Sequence, residues 1–373
     1  MTEGEKKYQE VLAWLAAEPL MKNMNGDEME PMVWYHRLLD GYVNAGGSED
    51  WMYLKRGTTD NLVIFFVGGG FAFNAEMAAG RATIKDFFCP PEKPHFFTDE
   101  AHPNNEYYFM EVLGNRGLFA LDEENRFADW NIAMINYGTG DIHIGDTDYE
   151  YMDERGNKIT LHHHGYRNFL AAMEVILHLF PSPEKLLITG VSAGGFGVSA
   201  LAADIVERYP DCKNITVCAD SSYLRHPAWP EIVKKIWKAP DHIAEAAVSD
   251  NVVLDMFRMT QKRIGNRAKY LFMIGFPDGV LSIFQNYVDS GQFVPSEEAE
   301  KRFAELLKEH ISGLKHLDIP FSIYLHSFMQ NGMIQHCTLD APTFRKGELS
   351  PMDWIWNAVN GKCEDYRLEL IDV

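Results

Sequence analysis

Basic side chains are scarce: 34 Lys and Arg face 54 Asp and Glu, a net charge of −20. A surface of that sign repels nucleic acid and anionic membranes, so neither is expected as a partner. Cysteine is nearly missing, with five in 373 residues. Cys89, Cys212, Cys218, Cys337 and Cys363 include no C-x-x-C pair. An odd, sparse set does not make a disulfide framework. Long hydrophobic runs are absent too. Leu62 to Phe73 is broken by glycine and is too short to cross a bilayer. Met1 to Glu10 lacks the basic and apolar regions of a secretory leader. These absences predict a soluble, reduced, cytoplasmic protein. No repeat, low-complexity tract or linker divides the chain, so residues 1–373 read as one domain.

The most informative stretch runs from Lys185 to Asp204. Leu186 to Thr189 read as a buried strand, and Val198, Ala202 and Val206 recur at helical spacing over 195–207. Between them lies Gly190-Val191-Ser192-Ala193-Gly194, the G-x-S-x-G turn in the strand–turn–helix context it requires. Such a turn projects Ser192 Oγ above a sheet at the positive end of a helix, where the Ala193 amide can meet a developing oxyanion.

Further apolar runs predict strands at 50–54, 62–67, 131–136, 214–219, 270–276 and 320–326. Helices are expected over 5–23, 166–180 and 296–314, and an irregular excursion over 84–108. The pattern predicts a mainly parallel sheet covered by helices on both faces, an α/β-hydrolase-like fold. Residues 1–50 read as an N-terminal helical extension and 225–268 as a helical cap insertion.

A serine nucleophile needs a base and an acid that orients it, in chain order Ser, Asp or Glu, His. Asp278, in Phe276-Pro-Asp-Gly279, follows the second strand after Ser192, and strand order favours it over Asp220. His336 lies in the loop after the third strand and is favoured over His326, which ends that strand. Gly68-Gly-Gly-Phe71 follows the strand at 62–67, where a second oxyanion donor is needed. No Gly-Lys-Ser/Thr follows it, so a nucleotide site is not expected. His162-His-His164 and the group Asp141, His143, Asp146 and Asp148 lack recognised metal-ligand spacing. Both read as solvated or substrate-facing loops, with no metal or cofactor.

Assembled, the sequence resembles the pectin acetylesterase and Notum family of carboxylesterases. The resemblance rests on Phe66-Val-Gly-Gly-Gly-Phe71, Tyr137-Gly-Thr-Gly-Asp141 with Gly145-Asp146, and Gly165-Tyr-Arg-Asn168. It continues in Gly190-Val-Ser-Ala-Gly-Gly195, Ala219-Asp-Ser221, Phe276-Pro-Asp278 and Gln335-His-Cys337. It implies Ser192, Asp278 and His336 as nucleophile, acid and base, with Gly70, Phe71 and Ala193 at the oxyanion hole. Tyr137 and Asp141 are expected to face substrate. The chain departs from the family in Val191, where relatives often carry Cys or Thr, in Phe71, where they often carry Trp, and in Gly138, where Cys is usual. The resulting expectation is a metal-independent serine esterase for O-acyl groups, acetyl in particular, on a small molecule or carbohydrate. A lipase-like or peptidase-like hydrolase of longer acyl groups, and a non-catalytic binding module on the same fold, are the alternatives.

Overall fold

The computed structural model describes residues 21–80, 82, 117–121, 125–330, 332–339 and 348–371. Residues 5–20 of the helix expected over 5–23 and the excursion over 84–108 lie outside the described residues, and Met21–Asn23, the rest of that helix, is a strand. Nine strands form one sheet: β1 (Met21–Asn23), β2 (Trp34–Val43), β3 (Glu49–Lys55), β4 (Leu62–Phe66), β5 (Asn131–Ile135), β8 (Lys185–Val191), β9 (Asn214–Asp220), β10 (Ala268–Gly275) and β11 (Phe321–His326). Their spatial order is β1-β2-β3-β5-β4-β8-β9-β10-β11. From β5 to β11 every pairing is parallel, whereas β3 runs antiparallel to both β2 and β5. This is the α/β-hydrolase fold.

Every residue of β4, β5 and β11 is buried, so helices must cover both faces of the sheet. The longer helices are α1 (Gly165–Leu179), α2 (Ala193–Arg208), α3 (Val252–Ile264), α4 (Gly279–Ser290), α5 (Glu297–Lys315) and α6 (Pro351–Val359). Helix α2 lies against β4, β8 and β9, and fourteen of its side chains and glycines are buried, from Ala193 to Val206. Its small residues, Gly194, Gly195, Gly197, Ala200, Ala202 and Ala203, allow that close packing. Side-chain caps start several helices: Asn251 accepts from Leu254 N, and Ser296 from Ala299 N. No described helix is long and apolar enough to cross a membrane.

Two regional expectations are corrected. The described part of the N-terminal extension is strand, not helix. β2 pairs with β3, and Trp34 and Tyr35 are buried in that ribbon. Where β2 ends, the Asn168 side chain on α1 takes over its hydrogen bonds, donating to Val43 O at 2.8 Å and accepting from Val43 N at 3.2 Å. The segment 225–268 is helical but divides in two. Trp229–Glu231, the π-turn Ile232–Ile236 and Asp241–Ala244 sit near the carboxyl ends of the strands, with Trp229 against Phe71. α3 instead packs along α2, where Thr260 Oγ1 donates to Ser199 O at 2.8 Å.

Two small hairpins complete the part that positions the site. β6 (Thr147–Met152) pairs with β7 (Lys158–His163), and β12 (Met329–Gln330) pairs with β13 (Met333–Ile334).

Candidate active site

β8 ends at Val191 and α2 begins at Ala193, so Ser192 is the one residue between strand and helix. Its backbone stands at φ 53° and ψ −126°. A non-glycine residue there costs about 1–3 kcal/mol and persists only where its surroundings impose it. They do so here. Ser192 N donates to Asp220 O at 2.9 Å, and Ser192 O accepts from Gly195 N at 2.9 Å and Phe196 N at 3.2 Å. The turn is also too tight for side chains at its flanks. A Cβ on Gly194 would stand 2.0 Å from Phe66 O, and one on Gly68 2.4 Å from Val191 O.

That same Gly68 opens the loop after β4, which therefore runs directly beside Ser192. Two buried rings hold this loop from behind. His143 Nε2 donates to Val67 O at 2.8 Å, with burial pushing this imidazole down to about 4, so it is neutral. Tyr137 OH donates to Gly70 O at 2.9 Å and accepts from Ile142 N at 3.0 Å. The amides of Gly70, Phe71 and Ala193 donate to no protein group among the described residues.

The expected substrate-facing role of Tyr137 and Asp141 is corrected by this geometry. Both are buried, and their polar atoms are spent on the loops around them. Asp141 Oδ1 accepts from Thr139 Oγ1 at 2.6 Å and His143 N at 3.1 Å, and Oδ2 from Gly165 N at 2.8 Å. Burial pushes this carboxyl up to about 6. Asp141 ties the β5 exit loop to the start of α1.

Asp278 and His336 arrive from the far side. β10 ends at Gly275, and Asp278 caps α4, with Oδ1 accepting from Val280 N at 3.1 Å and Leu281 N at 2.9 Å. The β12–β13 hairpin crosses the start of that helix closely enough that a Cβ on Gly279 would meet Ile334 O at 2.9 Å. The crossing delivers His336, whose Nδ1 lies 2.8 Å from Asp278 Oδ2 and 3.0 Å from Oδ1. Asp278 is fully buried, while the His336 side chain retains 11% exposure.

The rivals do other things. Asp220 Oδ2 accepts from Thr338 N at 2.7 Å and Leu339 N at 3.0 Å, and Oδ1 accepts from Ser221 Oγ at 3.0 Å. Ser221 Oγ in turn accepts from Cys337 N at 2.9 Å. Asp220 and Ser221 thus clamp the three residues after His336, while the backbone of Asp220 holds Ser192. Burial pushes the Asp220 carboxyl up to about 6. His326 is buried and stacked on Phe328 with centroids 4.7 Å apart; burial lowers its imidazole to about 4.

The histidine and acidic runs separate as well. His163 is buried, whereas His162 and His164 meet Asp148 on the outside, and Asp146 pairs with Arg167. Sequence reasoning missed the clamp by Asp220 and Ser221 and the supporting role of His143. A signal for the first was present, since Asp220 and Ser221 stand at the carboxyl end of the strand beside Ser192.

A family model for pectinacetylesterase matches residues 37–236, more than half of the chain. No curated protein sequence matches significantly. Among solved structures, the Wnt deacylase Notum from Drosophila is similar in two crystal forms, each with 15% identity over 89% of this chain. The matches cover 97% and 96% of those chains, with TM-scores of 0.59 and 0.57. At that identity the likeness establishes the fold. The expected cytoplasmic location is corrected by the family match, because the pectinacetylesterase family and Notum are secreted, extracellular enzymes. Few cysteines do not mark a compartment when a chain is long enough to build its core without disulfides. With one family model spanning most of the sheet and the serine turn at its centre, the chain belongs to the pectinacetylesterase family and is a carboxylic ester hydrolase.

Proposed function

We propose that this protein is a serine esterase that removes short O-acyl groups, acetyl in particular, from a carbohydrate, with Ser192, His336 and Asp278 as its triad. The observation that carries the reading is the pair of contacts from His336 Nδ1 to both oxygens of Asp278. With Nδ1–H committed to the carboxylate, Nε2 is the nitrogen left with a lone pair to take a proton.

In the reaction, Ser192 Oγ attacks the ester carbonyl as its proton passes to His336 Nε2. The tetrahedral oxyanion is met by the amides of Gly70, Phe71 and Ala193, which no protein acceptor occupies among the described residues. Collapse expels the sugar alkoxide, which takes the proton from His336. Water then attacks the acyl-serine, with His336 again as base, and releases the carboxylate and free Ser192. Asp278 holds the ring orientation and stabilises the transient imidazolium.

A short acyl group is supported by what surrounds Phe71. Phe196, Trp229 and Phe284 pack edge-on around it with centroids at 5.2, 6.0 and 5.2 Å, and all four rings are buried. That space is filled with aromatic carbon. The net charge of −20 disfavours a polyanionic polymer and supports a neutral acylated sugar.

Fluorophosphonate labelling, with the adduct located by mass spectrometry, tests the nucleophile. A single adduct on Ser192 is expected, together with loss of all but about 10⁻³ of turnover in folded Ser192→Ala. An unlabelled active protein, or a Ser192→Ala variant that keeps its rate, would sink the assignment. Comparing acetyl with octanoyl esters tests the acyl length, and preference for octanoyl would reverse that part.

A further inference from the structure

The β6–β7 hairpin carries a second cluster of reactive side chains that the ester centre does not use. Asp148 on β6 is the direct cross-strand partner of His162 on β7. His163 ends β7 with its ring on the inner side, while His162 on the strand and His164, the residue that caps α1, both turn to Asp148 on the outer side. The inner side is fully engaged. His163 lies 2.7 Å from Thr139 O through Nδ1 and 2.8 Å from Tyr151 OH through Nε2. On the outer side, His162 Nδ1 and His164 Nε2 each stand 2.7 Å from the same oxygen of Asp148. One ligand atom from each of the three residues lies within 4.8 Å of the others.

The orientation of the rings is built in. His162 Nε2 faces the preceding turn so closely that a Cβ on Gly47 would stand 2.9 Å from it, which leaves Nδ1 to face Asp148. The Asp148 side chain is 58% exposed and His164 12%, so the cluster opens to solvent on its carboxylate side.

We propose that Asp148, His162 and His164 bind a divalent transition-metal ion, zinc in the first instance, which braces the β6–β7 hairpin against the start of α1. Zinc bonds of about 2.0–2.1 Å in tetrahedral geometry place ligand atoms about 3.3 Å apart. The carboxylate oxygen therefore has to withdraw from each imidazole by only about half an ångström. Two imidazole nitrogens and one carboxylate suit zinc and its neighbours; calcium and magnesium require an all-oxygen set. Without metal, both imidazoles donate N–H to Asp148. On binding, each of these nitrogens presents its lone pair, and the ring proton resides on His162 Nε2 and His164 Nδ1. An imidazolium would also release one proton to solvent. The local opponent is Arg167, whose Nη1 lies 3.2 Å from His164 Nε2 while its Nε is held by Asp146. That cation limits the affinity to a moderate value.

The consequence reaches the ester centre through the inner face. Tyr151 OH stands 2.9 Å from Ala72 O, next to Phe71, and Trp237 Nε1 donates to the same carbonyl at 2.9 Å. A metal on the outer face stiffens this wall without touching substrate. The site stands independently of the triad assignment.

The test is calorimetric titration of the full chain with Zn²⁺ after chelator treatment, with Co²⁺ absorption as a second readout. One ion per chain is expected, with a Kd of about 1 µM and a rise in Tm of about 3 °C at a hundredfold excess over Kd. His162→Gln and His164→Gln each weaken binding at least about tenfold and abolish the visible Co²⁺ band. These rings face outward, so the variants are expected to fold, as circular dichroism of the metal-free forms will show. Should either fail to fold, Asp148→Asn, on an exposed side chain, is expected to weaken binding by a similar factor. Absence of stoichiometric binding, or affinity unchanged in these variants, overturns the proposal.

Discussion

Asp278 and Asp220 are both buried carboxylates near His336, and what each one holds separates their duties. Asp278 shares its oxygens between the imidazole and two helix amides, whereas Asp220 grips two loop amides and a hydroxyl. Asn at 278 keeps the shape but offers no carboxylate to an imidazolium. Asp278→Asn is therefore expected to lower kcat by about 10³–10⁴ with little change in melting temperature. Asp220→Asn can keep its amide oxygen on both loop N–H groups but turns its NH2 toward Ser221 Oγ, leaving that buried hydroxyl without its acceptor and costing about 1–3 kcal/mol. Its kcat is expected to stay within about tenfold of the parent. Steady-state kinetics and thermal melts on the two variants decide the matter, and the opposite ranking would make Asp220 the acid. Strand order alone brings Asp278 and His336 to one end of the sheet, so their positions were legible. The grip of Asp220 on residues 118 and 119 positions later was not, because it depends on how a loop folds back. Tyr137 and Asp141 were misread for a related reason. A polar residue in a glycine-rich loop gives no sign of whether it faces solvent or supports the loop from beneath.

At the scale of elements, the strands easiest to read were those buried on both faces. β4, β5, β8, β9, β10 and β11 each carry an apolar run bounded by turn residues, and the expected bounds fall within two or three residues of those observed. β2 was hidden because its burial follows no alternation and its pairing with β3 shifts register between Leu38 and Val43. β6 and β7 are a polar hairpin that buries few side chains, and their histidines read as loop. The serine turn was the clearest element because steric necessity writes it into the sequence. Gly194 is the strongest instance, since a Cβ there would meet a backbone carbonyl that belongs to β4 and cannot swing aside. Gly194→Ala is expected to destabilise the protein by about 3 kcal/mol or more. Gly26→Ala, with nothing within 4 Å of its added carbon, is expected to change stability by no more than about 0.5 kcal/mol. Denaturant midpoints measure both, and equal midpoints would mean that the strand and helix can separate without penalty.

For the molecule as a whole, the buried titratable groups oppose one another as pH falls. Burial holds His143, His163 and His326 down at about 4 and His310 at about 3, against an ordinary value near 6.5. Between pH 6.5 and 4 the unfolded chain protonates these imidazoles and the folded chain does not, so acidification removes stability. Asp50, Asp141 and Asp220 act in the other direction. Burial raises each to about 6, so the folded protein takes up a proton on them before the unfolded chain does, and stability is gained as pH falls through 6. At pH 5 each histidine has given up on the order of 2 kcal/mol and each aspartate has returned on the order of 1 kcal/mol. Four histidines against three aspartates leave a net loss of a few kcal/mol. Calorimetric melts are therefore expected to show Tm several degrees lower at pH 5 than at pH 7. His163→Gln is expected to reduce that difference by removing one of the four contributors. A Tm that holds steady or rises on acidification would mean that the buried carboxyls, rather than the buried imidazoles, set the acid response of the fold.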